Sequence, residues 1–145
     1  MGEVRVKVRL TNGVDAVTSF HAGPEGKAPR FVEIDAMVDT GAVCSVVPLA
    51  VLEKLGVDRY DTRVAQYADG RREEVGLSEP LLFEIAGRKT FEEVMMFGDE
   101  VLIGQTVLEK TDLLVDCAGK QVIPNPAHPK GPVLNVKLVK SPSLS

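Results

Sequence analysis

Apolar residues Val4, Val6, Val8 and Leu10 alternate with Arg5, Lys7 and Arg9, which predicts a strand with one wet face. Thr11-Asn12-Gly13 supplies turn chemistry after it, and His21 through Pro29 reads as an exposed loop. Phe31 to Val38 resumes strand character and runs straight into Asp39. Val43 to Val47 is apolar again. Pro48 then opens a short helix, Leu49 to Leu55, closed by Gly56; proline at the start and glycine past the end fit the asymmetry of helix termini.

Further along, Thr62–Tyr67 and Arg72–Leu77 flank Ala68-Asp69-Gly70-Arg71, a hairpin signal that predicts a tight primed turn. Both arms are polar, so this hairpin is expected to project from the body. Leu81–Ile85 and Thr90–Phe97 form a second hairpin around Gly87-Arg88. Val101-Leu102-Ile103-Gly104 reads as a short buried strand, Thr106 to Lys110 as a helical turn, and Leu113–Asp116 as a core strand. Gln121-Val122-Ile123 precedes a proline-rich linker, 124–132, and alternation returns from Val133 to Val139. Many short strands with one or two short helices predict a mostly-β, closed, barrel-like single domain over 1–145. Its core spans 1–123, with the projecting hairpin at about 62–78 and a C-terminal strand or tail at 133–145.

Composition narrows the classes. The 145 residues are 44% hydrophobic and 26% charged, as expected of a globular domain. A net charge of -4 gives no general attraction to nucleic acid or to an anionic membrane. Cys44 and Cys117 lack metal-ligand spacing and read as reduced, buried thiols. The N-terminal segment has no signal-peptide apolar core, and Val6 stands where a myristoylation signal needs Ser or Thr. A cytoplasmic location is the expectation. His21 and His128 have no partner at ligand spacing, Ser45 has no evident base, and Glu73-Glu74 and Glu92-Glu93 read as solvated strand faces.

The candidate chemistry sits in Val38-Asp39-Thr40-Gly41-Ala42, where an apolar strand ends in a carboxylate, a hydroxyl and a glycine. A glycine there lets backbone N–H groups approach the carboxylate closely. Combined with the Asp-Gly hairpin, Leu102-Ile103-Gly104, and the run from Gly104-Gln105-Thr106 through Val115-Asp116 to Pro124-Asn125-Pro126-Ala127-His128-Pro129, the chain resembles the retropepsin-like aspartic peptidases. More narrowly, it is similar to their small single-domain bacterial and archaeal members.

That resemblance implies a retropepsin fold and an aspartic endopeptidase with no cofactor and no metal. Hydrolysis by carboxylates needs two in contact, one ionised to accept a proton from water and one protonated to polarise the scissile carbonyl. Asp35, Asp99, Asp112 and Asp116 lack a following Thr-Gly, so one chain holds half a site. A two-fold homodimer with Asp39 from each subunit is therefore expected, acting on a peptide or protein substrate. The resemblance further implies that Thr40 bonds across to the partner's loop and that Gly41 admits backbone and substrate. Ala42 completes the motif. Tyr67, Ala68, Asp69, Gly70 and Arg71 would form a flap over an extended peptide, and Leu102, Ile103 and Gly104 would pack beneath the motif loop.

Two positions depart from viral members, which carry an Asp–Arg pair where this chain has Val43 and Gln105. The rival readings are a retropepsin-fold module that dimerises or binds peptides without cleaving them, and a monomer that is dormant until assembled. Ala42 replaces the hydroxyl residue of pepsin-like members, which donates a hydrogen bond favouring the ionised dyad. Without that donor the pair holds its shared proton to higher pH. The expected pH–rate profile for peptide hydrolysis peaks nearer neutral than acidic pH, and a maximum well below pH 4 would contradict it.

Overall fold

In the computed structural model, which describes residues 3–137, the opening alternation becomes β1 (Arg5–Asn12), which ends two residues beyond the alternating run. Asn12 does not turn the chain. Its side-chain oxygen accepts the Asp15 N–H at 2.9 Å and caps α1 (Gly13–Ala22), while its Nδ2 donates to Leu55 O at 2.8 Å. Asn-Gly, read above as a turn, is thus a buried helix cap, and α1 is an element the sequence pattern did not predict. A single 3-10 turn (Gly23–Glu25) leads through a loop to β2 (Phe31–Val38).

The remaining elements follow in order: β3 (Val46–Val47), α2 (Leu49–Leu55), β4 (Arg59–Gln66), β5 (Arg72–Ser78), β6 (Leu81–Ile85), β7 (Arg88–Glu92) and β8 (Met95–Met96). After these come β9 (Leu102–Ile103), α3 (Gln105–Thr111), β10 (Leu113–Asp116) and β11 (Gln121–Pro124). The expected strand Thr90–Phe97 is split: β7 ends at Glu92, and β8 pairs instead with β3 and β5. Three short α-helices replace the one or two expected. No helix among the described residues is long and apolar enough to cross a membrane.

Nine strands form one mostly antiparallel sheet in the order β4-β5-β8-β3-β9-β2-β1-β6-β7, and β10 and β11 pair separately. The sheet curls into a half-barrel, with β4 and β7 at its two ends. Among the described residues it does not close on itself, so the expected closed barrel is found as a half-barrel. Val8, Leu10, Phe83, Ile85 and Ile103 fill the concave side together with Leu52 and Leu55 of α2 and Val107 and Leu108 of α3. Each such side chain contributes about 1.5–3 kcal/mol by leaving water.

The hairpin of β4 and β5 also differs from expectation. Tyr67 O accepts the Gly70 N–H and Arg71 O accepts the Tyr67 N–H, both at 2.9 Å. Only Gly70 has positive φ (+87°), so this is a type I turn followed by a left-handed glycine and not a primed pair. The primed two-residue turn lies in the other hairpin, where Ala86 and Gly87 have φ of 50° and 78°.

The proline-rich stretch is pinned to the body. Asp112, left-handed at the end of α3, accepts hydrogen bonds from Asn125 Nδ2 (3.0 Å) and Val133 N–H (3.0 Å), and its Oδ2 lies 2.6 Å from His128 Nδ1. Buried Arg88 donates to Thr111 O, Asp112 O and His128 O. Residues 133–137 belong to no strand, and the end of the expected strand Val133–Val139 lies outside the described residues.

The Val133 N–H, then Asn125, hold the Asp112 carboxyl down at about 2, from an ordinary 3.8. A depressed carboxyl stabilises fully above its ordinary value and loses that contribution as pH falls through the native one. Hydrogen-exchange protection across 125–133 is therefore expected to be lost between about pH 4 and pH 2, and Asp112→Asn should remove this pH dependence. Arg88→Ala removes a donor from three carbonyls, of which Asp112 O keeps the Asn125 N–H, and should cost about 2–3 kcal/mol in denaturant unfolding.

Candidate active site

Asp39 stands where β2 stops, at the end of the sheet's central crossing. β9 is inserted between β2 and β3, parallel to the first (Val38 opposite Ile103) and antiparallel to the second (Val46 opposite Leu102). The last main-chain bond of that parallel pairing runs from Asp39 N–H to Ile103 O at 2.9 Å. The carboxylate is thus set directly after an inner strand of the sheet, and its own side chain is half-buried.

The motif loop folds back under its own carboxylate. Asp39 Oδ1 accepts the Gly41 N–H at 3.1 Å and Asp39 O accepts the Ala42 N–H at 3.2 Å. Thr40 and Gly41 are exposed, as is Val43 just beyond them. A Cβ added to Gly41 would meet Asp39 Oδ1 at 3.3 Å, so the glycine permits the tight N–H approach.

Support comes from below, through Gly104. A Cβ there would meet Cys44 C at 2.8 Å, Val43 O at 2.9 Å and Ala42 O at 3.0 Å, all backbone atoms with no room to yield. Leu102 and Ile103 deliver this glycine, and its N–H donates to Ser45 Oγ at 2.8 Å inside the protein. Gln105 N–H and Thr106 N–H at the start of α3 donate to Ala42 O (2.7 Å) and Val43 O (3.2 Å). Main-chain bonds therefore clamp the loop at the two positions, 43 and 105, that hold no ion pair. Ser45 is a positioning residue that sequence reasoning left out. No local pattern could have revealed it, because its partner lies 59 residues away.

The hairpin tip is a separate cluster. The Tyr67 ring packs edge-on against Phe97 at 6.3 Å, and the Arg71 guanidinium lies 4.6 Å from the Tyr67 ring centre. Tyr67 Oη donates to Glu73 Oε2 at 3.2 Å, while Arg71 bonds both oxygens of Asp69. Burial, then the charge of Glu73, pushes the Tyr67 hydroxyl above its ordinary pKa. Ala68, Asp69 and Gly70 are exposed. Among the described residues no hydrogen bond joins this tip to the Asp39 loop.

Two clefts adjoin these elements. One of about 330 Å³ opens beside the motif loop, lined by Val43, Cys44, Val64, Leu77 and Met95 among others. Another of about 590 Å³ lies between α2, β5 and Phe97. Asp39 lines neither cleft. Burial raises the Cys44 pKa and keeps the thiol protonated, which removes it as a ready nucleophile. Cys117, expected to be buried, is exposed. No group of acidic, histidine and cysteine side chains that could hold a metal occurs among the described residues.

In comparison with known proteins, the chain matches no protein-family model and no curated protein sequence.

Gly104→Ala tests the clamp: overpacking against backbone should cost about 1–3 kcal/mol in chemical unfolding. Ser45→Ala strands the Gly104 N–H and should cost about 1–3 kcal/mol. An unchanged unfolding midpoint in both variants would show that the loop is held by something else.

Proposed function

We propose that this protein is an aspartic endopeptidase of the retropepsin type, assembled as a two-fold homodimer in which the Asp39 carboxylates of two copies form the water-activating dyad. One observation carries the reading. Asp39 is fixed by main-chain bonds at the end of a half-buried inner strand of the sheet, yet its loop presents Thr40 and Gly41 on an exposed face. A carboxylate held so firmly and left open suits a site completed by a second carboxylate from outside the chain.

Across the two-fold axis each Asp39 would face its equivalent. Two carboxylates in contact cannot both ionise, so the pair keeps one proton. The ionised member accepts a proton from the bound water as that water attacks the scissile carbonyl carbon. The protonated member donates to the carbonyl oxygen, which gives a neutral tetrahedral diol. Collapse of the diol moves a proton to the leaving nitrogen and restores the shared-proton state. Thr40 of each copy, exposed at the loop tip, supplies a hydroxyl for a bond across the axis. The β4–β5 hairpins close over the peptide as flaps, each braced near its tip by the Tyr67–Phe97 contact.

The test is cleavage of a peptide library by wild type and by Asp39→Asn over a range of pH, alongside sedimentation at several concentrations. Wild type is expected to cleave and to sediment as a dimer. The Asn variant should lose at least about a thousand-fold in kcat/KM, equivalent to about 4 kcal/mol of transition-state stabilisation, while keeping the dimer. Cleavage surviving in Asp39→Asn would refute the mechanism, and cleavage by neither protein would favour the non-catalytic peptide-binding module.

A further inference from the structure

The cleft beside the motif loop does not end there. It shares Glu92 and Glu93 with a second cleft of about 320 Å³ lined by Tyr60, Pro80 and Phe91, so the two run together along the base of the β4–β5 hairpin. Four large apolar side chains stand at the surface along this line: Val43 is 75% exposed, Tyr60 74%, Val64 59% and Phe91 44%. An apolar groove that starts four residues beyond Asp39 and is rimmed by charge is a binding feature, because scattered surface apolar residues do not align in this way.

Three further observations define what fits. First, β4 is the terminal strand of the sheet and lines both clefts, so an extended chain can add to its unpaired edge. Second, the β4–β5 register slips by one between Arg59 and Asp61, which leaves Tyr60 as the extra residue of a β-bulge. A bulge re-aims a side chain, and this one supplies the aromatic wall of the distal cleft. Third, the shared rim carries a carboxylate that no cation pairs directly, with the Arg63 guanidinium only near enough to feel its charge. Glu92 is paired with Lys110 at 2.8 Å and Arg63 with Asp61 at 2.8 Å, but Glu93 makes no ion pair among the described residues.

We infer that this groove receives a distal segment of the substrate, an extended peptide with two apolar side chains and a basic one between them. The apolar side chains occupy the Val43–Val64 and Tyr60–Phe91 clefts, and the basic group meets Glu93 at the rim where the clefts join. The inference rests on the peptidase reading, since it makes the groove an extension of the site begun by Asp39. It assigns substrate preference to residues remote from the reacting bond.

Binding is tested without cleavage by titrating 15N-labelled, full-length Asp39→Asn protein with acetyl-Leu-Lys-Phe-amide and with acetyl-Leu-Glu-Phe-amide. The lysine peptide should shift the amides of residues 43–45, 60–64 and 91–93, and the glutamate peptide should bind at least ten-fold more weakly. Glu93→Gln should abolish that discrimination. Tyr60→Ser and Phe91→Ser, both on exposed side chains, should weaken the lysine peptide about ten-fold. In the wild type, the same two serine variants should raise KM for substrates bearing the distal segment and leave kcat unchanged. Shifts elsewhere, no shifts, or equal binding of the two peptides would overturn the groove. Groove shifts in a protein that cleaves nothing would overturn only the peptidase reading.

Discussion

The placement of β9 between β2 and β3 is the constraint on which the rest depends. Those two strands are consecutive in the sheet-forming part of the chain, and a motif loop of seven residues joins them. Were they to pair directly, the loop would close as an ordinary turn and the Asp39 carboxylate would sit at its rim without support. The inserted strand holds them apart, takes the Asp39 N–H on one side, and brings Gly104 up against the loop backbone. Glycine is the only residue that fits there, because the three nearest atoms are main-chain atoms. α3 starts immediately afterwards, so the same few residues that buttress the loop also launch a helix whose first N–H groups bond to it.

This arrangement holds the motif loop by neutral main-chain bonds, with no ion pair between positions 43 and 105. Such bonds are insensitive to salt and to pH across the range in which carboxylates titrate. Charge is concentrated elsewhere, in the exposed Arg5, Arg9 and Arg63 pairs and in the partly shielded Asp112 cluster. The cluster ties β7, the end of α3 and the segment after β11 together. The chain beyond β11 is therefore anchored, although its composition reads as a linker.

Elements with a local cause were legible in the sequence. β2 coincides with its predicted bounds, and α2 runs from Leu49 to Leu55 with Gly56 left-handed at its end, because proline and glycine act within their own turn. The position of Asp39 just past the end of β2 was legible as well, since an apolar run that ends in Asp-Thr-Gly is a local signal. What failed depended on distant partners. Asn12 caps a helix only because its amide also reaches Leu55, 43 residues on, and Asp-Gly adopts a type I turn with a following bulge where a primed pair was expected. Thr90–Phe97 looks like one strand, but Met95 and Met96 are drawn to β3 and β5 on the far side of the sheet. Ser45 is the clearest case: an unremarkable serine in sequence and a structural donor's partner in space.

The inserted strand also sets an order of events. Val38 must find Ile103, and every residue between them has to be accommodated before that pairing closes. Non-local strand pairing is slow, because its loop-closure entropy is lost before any contact compensates it. A chain emerging from the ribosome carries Asp39 long before it carries Gly104, and during that interval the acidic loop has no scaffold. The carboxylate acquires its final setting only when the chain has been made past Thr106, so products terminated before that point lack the assembled loop.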